Sequence, residues 1–220
     1  MSTKTPKLAT QEARYGVNLN YVIFPLDFRD LRYGLAKNGY ELTPFKDMPA
    51  PPTRLSYSGE IARIKETRIL VDSDSGQIGV IDRLLQQARA SFDDLAKVIL
   101  SELGVDLNNK VKFHFLTVHY RVDTGKTPLK EIARAENKEF VRKFNDIMKE
   151  DLSSFSIRLC PKNVNINDEN WFDIAIEPDI IDERRYHIGV VYRNSERKKI
   201  EAFAENLESN LLKLLECIEA

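Results

Sequence analysis

Between Val17 and Ile23 apolar residues recur at every second position (Val17, Leu19, Tyr21, Ile23), which predicts a half-buried strand that Pro25 ends. Asp27 then stands where a helix cap is needed. Phe28, Leu31 and Leu35 share one helical face beyond it, and Asn38-Gly39 supplies the stop. Prolines at 44, 49, 51 and 52 remove backbone donors, so Pro44–Thr53 reads as a surface loop. Strand-like segments follow at about 54–64, 66–72 and 77–81, with a Ser73–Gly76 turn before the third. Asp82 is the expected cap of a long helix carrying Leu84, Leu85, Ala88, Phe92, Leu95, Ile99 and Leu103 as one stripe, closed by Gly104.

A similar order returns downstream. Val111–Val122 is β-branched and aromatic, as a long strand should be, and Thr127-Pro128 opens a helix with proline at its first position. That helix is expected to bury Leu129, Ile132, Phe140, Phe144 and Ile147. Strands are predicted at about 154–160, 171–177 and 184–193. Ser195 is then expected to cap a last helix with Ile200, Phe203, Leu207, Leu211, Leu214 and Ile218 at steps of three and four.

The fold class is therefore α+β. Two tandem strand–helix–strands–helix halves, residues 16–108 and 109–220, follow a loose arm at 1–15. Short loops should pair consecutive strands antiparallel in a curved sheet, or two sheets, with the long helices on one face. The similarity lies in element order, without residue identity, and implies an internal duplication. That order resembles the saddle of the TATA-box-binding proteins, in which two such halves form one curved sheet with helices on its convex side. The resemblance implies one open sheet face. It carries no function, because unrelated activities share folds.

Composition narrows the classes. Hydrophobic residues at 42% and charged residues at 30% suit a globular core. The 33 Lys and Arg are balanced by 34 Asp and Glu, and neither half is a polycation, which disfavours a general nucleic-acid coat. Cys160 and Cys217 have no metal-spaced neighbour, so both are expected to be small buried hydrophobes in a reducing, cytoplasmic setting. The N-terminus lacks the apolar stretch of a secretory signal, and no run is long enough to span a membrane.

Candidate chemistry is sparse. His114 and His119 are an odd number of residues apart on one strand, so they face opposite ways and cannot share an ion. His187 stands alone on a later strand. Gly125-Lys126-Thr127 lacks the earlier glycine of a phosphate loop, and Asp72–Gly76 lacks the closing Glu of a calcium loop. The best cluster for ligand binding is Asp173, Arg185, His187 and Arg193. A symmetric turn at 178–183 would set Glu177 opposite Arg185 and Asp173 near an uncovered Gly189, making a polar floor. Arg193, Arg197, Lys198 and Lys199 also surround a helix start, where an anion could dock.

Without a nucleophile motif, metal set or cofactor fingerprint, no catalytic residue and no cofactor is assigned. The expectation is a non-enzymatic interaction or assembly protein that offers its open sheet face or a helix to a protein partner or a second copy. The alternatives are a nucleic-acid-associated saddle and a small-ligand or enzyme pocket between sheet and helices.

Overall fold

The structure, a computed structural model, describes residues 6–220. Nine strands form one antiparallel sheet: β1 (Lys7–Leu19), β2 (Glu41–Leu42), β3 (Ser58–Ile64), β4 (Thr67–Asp72), β5 (Gln77–Asp82), β6 (Val111–Asp123), β7 (Ile157–Leu159), β8 (Trp171–Pro178) and β9 (Tyr186–Asn194). Their order is β2-β3-β4-β5-β1-β6-β9-β8-β7, so one continuous sheet joins the early and late strands through β1 and β6. Among the described residues there are five α-helices: α1 (Phe28–Lys37), α2 (Leu85–Leu103), α3 (Pro128–Ala135), α4 (Lys138–Met148) and α5 (Arg197–Ile218).

Alternation sorts the two faces. Tyr15 and Val17 on β1, Leu116, Val118 and Tyr120 on β6, and Ile188 and Val190 on β9 are buried on the helix side. Helix α2 packs on β1 and β5, and α5 on β6 and β9. Phe92, Leu95 and Ile99 of α2 are fully buried, each worth about 1.5–3 kcal/mol of apolar transfer. Phe92 meets Tyr15 edge-on, ring centres 5.5 Å apart.

Strand β1 differs from expectation at both ends. It starts at Lys7, inside the segment read as a loose arm, and stops at Leu19, leaving Val22 and Ile23 exposed. A register shift between Thr10 and Glu12 changes the parity of its inward positions, which hides the strand from a period-two reading. Residues 1–5 of that arm lie outside the described residues.

Cap assignments divide. Asp27 caps α1 through Arg29 N (2.9 Å), as expected. Asp82 accepts from Thr67 Oγ1 (2.6 Å) and, at the helix start, from Leu84 N (3.2 Å) but from no N–H within α2, which begins at Leu85 behind an apolar Leu84 cap. Ser195 caps nothing. Its Oγ bonds Asn170 Oδ1 (3.2 Å), and Glu196 precedes α5 without a side-chain cap bond. Both cysteines are exposed rather than buried, Cys160 just past edge strand β7 and Cys217 in the last turn of α5.

At the sheet centre Gly16 of β1 pairs with Gly79 of β5. A Cβ on Gly16 would lie 2.4 Å from Ile78 O and 2.8 Å from the Phe115 ring, so the two strands approach closely under that aromatic lid.

Candidate functional site

The open sheet face separates the residues expected to form a pocket floor. A seven-residue loop joins β8 to β9. Asp179 Oδ1 accepts from Ile181 N (2.7 Å) and Asp182 N (3.1 Å), and Asp179 N donates to Arg185 O (2.8 Å). The loop therefore closes at Asp179–Arg185, and Glu177 comes opposite His187 rather than Arg185. Arg185 stays in the loop, 3.3 Å from Asp182. Asp173 pairs with Val191, and Ala175 is the residue opposite Gly189. Four residues along a strand, about 13 Å, separate Asp173 from the level of His187. The Asp173 carboxylate is taken instead by Arg158 of β7, in a two-pronged ion pair.

His187 enters a different group. Its Nδ1 lies 3.0 Å from Glu177 Oε1, and its Nε2 lies 3.3 Å from His119 Nδ1. An ionised Glu177 only accepts, so a neutral His187 donates from Nδ1 and accepts at Nε2 from His119. Burial first, and the neighbouring imidazole second, hold His119 below the ordinary histidine range. The His119 ring also covers Gly189, its Nδ1 lying 3.6 Å from where a Cβ would stand. His119 and His187 were separable on sequence because 68 residues divide them. Their pairing appears only once β6 and β9 are in register. His114 faces the opposite way, under α5, as strand parity predicts.

Arg193 stands at the other end of β9, its guanidinium 5.3 Å from the ring centres of both Phe113 and Trp171, and it donates to Ile166 O. Four further cations of this face are paired. Arg14 and Arg68 share Glu12 (2.9 and 2.8 Å), Arg63 holds Glu41 (2.9 Å), and Arg121 holds Asp179. At the start of α5, two of the basic residues are paired in the same way. Arg197 contacts Asp93 (2.6 Å) and Glu201 (2.8 Å), and Lys199 contacts Glu196 (2.6 Å). Among the described residues no group of three or more His, Cys, Asp or Glu side chains is placed to hold a metal ion. Among the described residues no helix is long and apolar enough to cross a membrane.

Helix α4 carries the molecule's most distinctive surface. The stripe expected to run from Leu129 to Ile147 in one helix is divided at Glu136, whose backbone is extended, and Asn137 recaps the chain by accepting from Phe140 N (3.1 Å). Ile132 of α3 is fully buried, but no residue of α4 is. Phe140 is 58% exposed, Phe144 45%, Ile147 73% and Met148 59%. The two rings touch, with centres 4.8 Å apart. On the return segment, Leu152 and Phe155 are also exposed, and Leu152 N donates back to Asn145 of α4 (3.0 Å).

The chain matches no family model and no curated protein sequence.

Proposed function

We propose that the protein is a non-enzymatic interaction protein that docks on a protein partner through the apolar face of α4. The observation that carries this reading is an 11-residue amphipathic helix, about three turns, with four large apolar side chains in solvent and none of its own residues in the core. Such a helix wins little from its own fold. Its apolar stripe at i, i+4 and i+7 has the spacing of helix-in-groove recognition. Against a nucleic-acid role stand the matched charges of the open sheet face.

The same reading takes the halves 16–108 and 109–220 as an internal duplication, supported by β5-β4-β3 and β9-β8-β7 running outward from β1 and β6. It places the chain in the cytoplasm, where two exposed thiols stay reduced.

The test compares wild type with Phe140→Asp/Phe144→Asp, using light scattering for self-association and crosslinking with capture from extract for other proteins. Losing two half-exposed aromatic anchors should weaken binding about hundredfold or more. The urea midpoint should stay within about 0.5 kcal/mol of wild type in stability. A wild-type monomer without a captured partner, or capture unchanged in the variant, refutes the reading.

A further inference from the structure

The segment that carries α4 is sorted by charge from one end to the other. Lys138, Arg142 and Lys143, less Glu139, give residues 138–143 a net charge of +2. Asp146, Glu150 and Asp151, less Lys149, give residues 144–151 a net charge of −2. This order runs against the helix macrodipole, which favours acidic groups near the start and basic groups near the end. Glu139 and Lys143 pair within the helix at 3.1 Å. The other charges of the segment form no ion pair among the described residues, so the fold itself makes no use of the sorting.

The apolar side of the same helix is large enough to matter. Phe140, Phe144, Ile147 and Met148, each about half exposed or more, together offer about 400 Å² to solvent. The return segment runs back along α4, with Leu152 N on Asn145 (3.0 Å) and Ser154 N on Glu136 (2.7 Å), and adds exposed Leu152 and Phe155. A twofold axis buries the same patch on both copies. The total then comes to about 1,000 Å², the size at which a specific interface becomes stable.

A partner for this face has to bring apolar surface to its middle and opposite charge to each end. A copy of α4 laid parallel sets like ends together. Laid antiparallel, the basic half of each helix lies along the acidic half of the other, +2 against −2 at both ends. Phe144 then sits at the centre beside its own counterpart, and Phe140 stands level with Met148 of the second copy.

We propose that the occupant of the α4 face is a second copy of this chain, the two helices packing antiparallel about a twofold axis. The inference rests on α4 being a docking face, and it adds which partner the face takes and in which direction.

The experiment is sedimentation equilibrium of the full chain. Wild type forms a dimer with a Kd below about 50 µM. Phe140→Asp/Phe144→Asp raises that Kd about hundredfold or more. Arg142→Glu/Lys143→Glu makes both halves of the segment acidic, and Asp146→Lys/Glu150→Lys makes both basic. Each of these variants self-associates about tenfold or more weakly than wild type, and an equimolar mixture forms a mixed dimer at least as tight as wild type. Both double changes move charge in the direction the helix dipole favours, so weaker pairing does not come from a melted α4. Three results overturn the proposal: a wild-type monomer at about 500 µM, a dimer that persists in Phe140→Asp/Phe144→Asp, or a mixture of the two charge variants no tighter than either alone. In the first case, a foreign protein held by wild type and released by Phe140→Asp/Phe144→Asp leaves α4 standing as a docking face, and the absence of one removes that reading too.

Discussion

His114 makes stability depend on pH in a window where few other groups titrate. Its side chain is 5% exposed, on the helix face of β6, and its Nδ1 has no partner. Burial, and then the Arg197 guanidinium on α5, depress the imidazole from its ordinary 6.5 to about 4, with Glu201 pulling the other way. The folded state therefore refuses a proton that the unfolded chain accepts. This contribution is full above pH 6.5 and is lost as pH falls toward 4. The two values differ by about 2.5 units, or about 3 kcal/mol at the acid limit. Between pH 7.5 and 5.0 the loss is about 2 kcal/mol. With a urea slope of about 2–3 kcal/mol per molar, the midpoint drops by close to 1 M. His119, also held below its usual range, adds to the slope in the same direction. The assay is urea unfolding at both pH values for wild type and His114→Asn. The variant should start less stable at pH 7.5 but lose about 2 kcal/mol less on acidification. A wild type equally stable at both pH values, or a variant with the full wild-type drop, would show that His114 is not the buried base described here.

Other perturbations test the framework. Gly16→Ala forces a Cβ against Ile78 O and the Phe115 ring, and should cost about 3 kcal/mol or more in thermal or urea unfolding; a neutral outcome would mean that β1 and β5 are further apart. Asp179→Ala strips the β8–β9 loop of two backbone bonds and leaves Arg121 unmatched, a loss of about 2 kcal/mol or more. Because those donors hold the Asp179 carboxylate below the usual range despite its burial, its contribution is present above the unfolded pKa and fades as pH drops through the lower folded one. Acid-dependence unchanged in the alanine variant would contradict that assignment.

Regular elements with one clean period were legible in the sequence. The stripes of α2 and α5, the Asp27 cap and the antiparallel hairpins were all readable from apolar spacing and turn residues. What escaped depended on a single interrupting residue or on long-range register. The bulge at Gln11 conceals the first half of β1, and Asn137 starts a second helix inside what looks like one stripe, so Phe140, Phe144 and Ile147 leave the core. The floor predicted from Asp173, Arg185, His187 and Arg193 assumed a symmetric turn. Asp179 and Asp182 close the loop elsewhere, a two-residue change in pairing brings His187 to Glu177, and Arg158 of β7 on the other side takes Asp173. The Arg197–Asp93 contact had no sequence signal, because it is set by the approach of two helices more than ninety residues apart.

The β1–β6 ladder also governs how the chain is made. Its register joins Lys7 to Asp123 and Leu19 to Val111, so β1 leaves the ribosome well ahead of its longest partner, which follows only after roughly a hundred further residues. At about 5–20 residues per second, that wait is about 5–20 s. During it β1 can be held on one edge by β5, while the other edge stays open to any extended segment nearby. Glu12, Arg14 and the bulge at Gln11 interrupt that edge with charge and irregular spacing. The same irregularity that conceals the strand from a reader of the sequence shields the nascent chain from its neighbours.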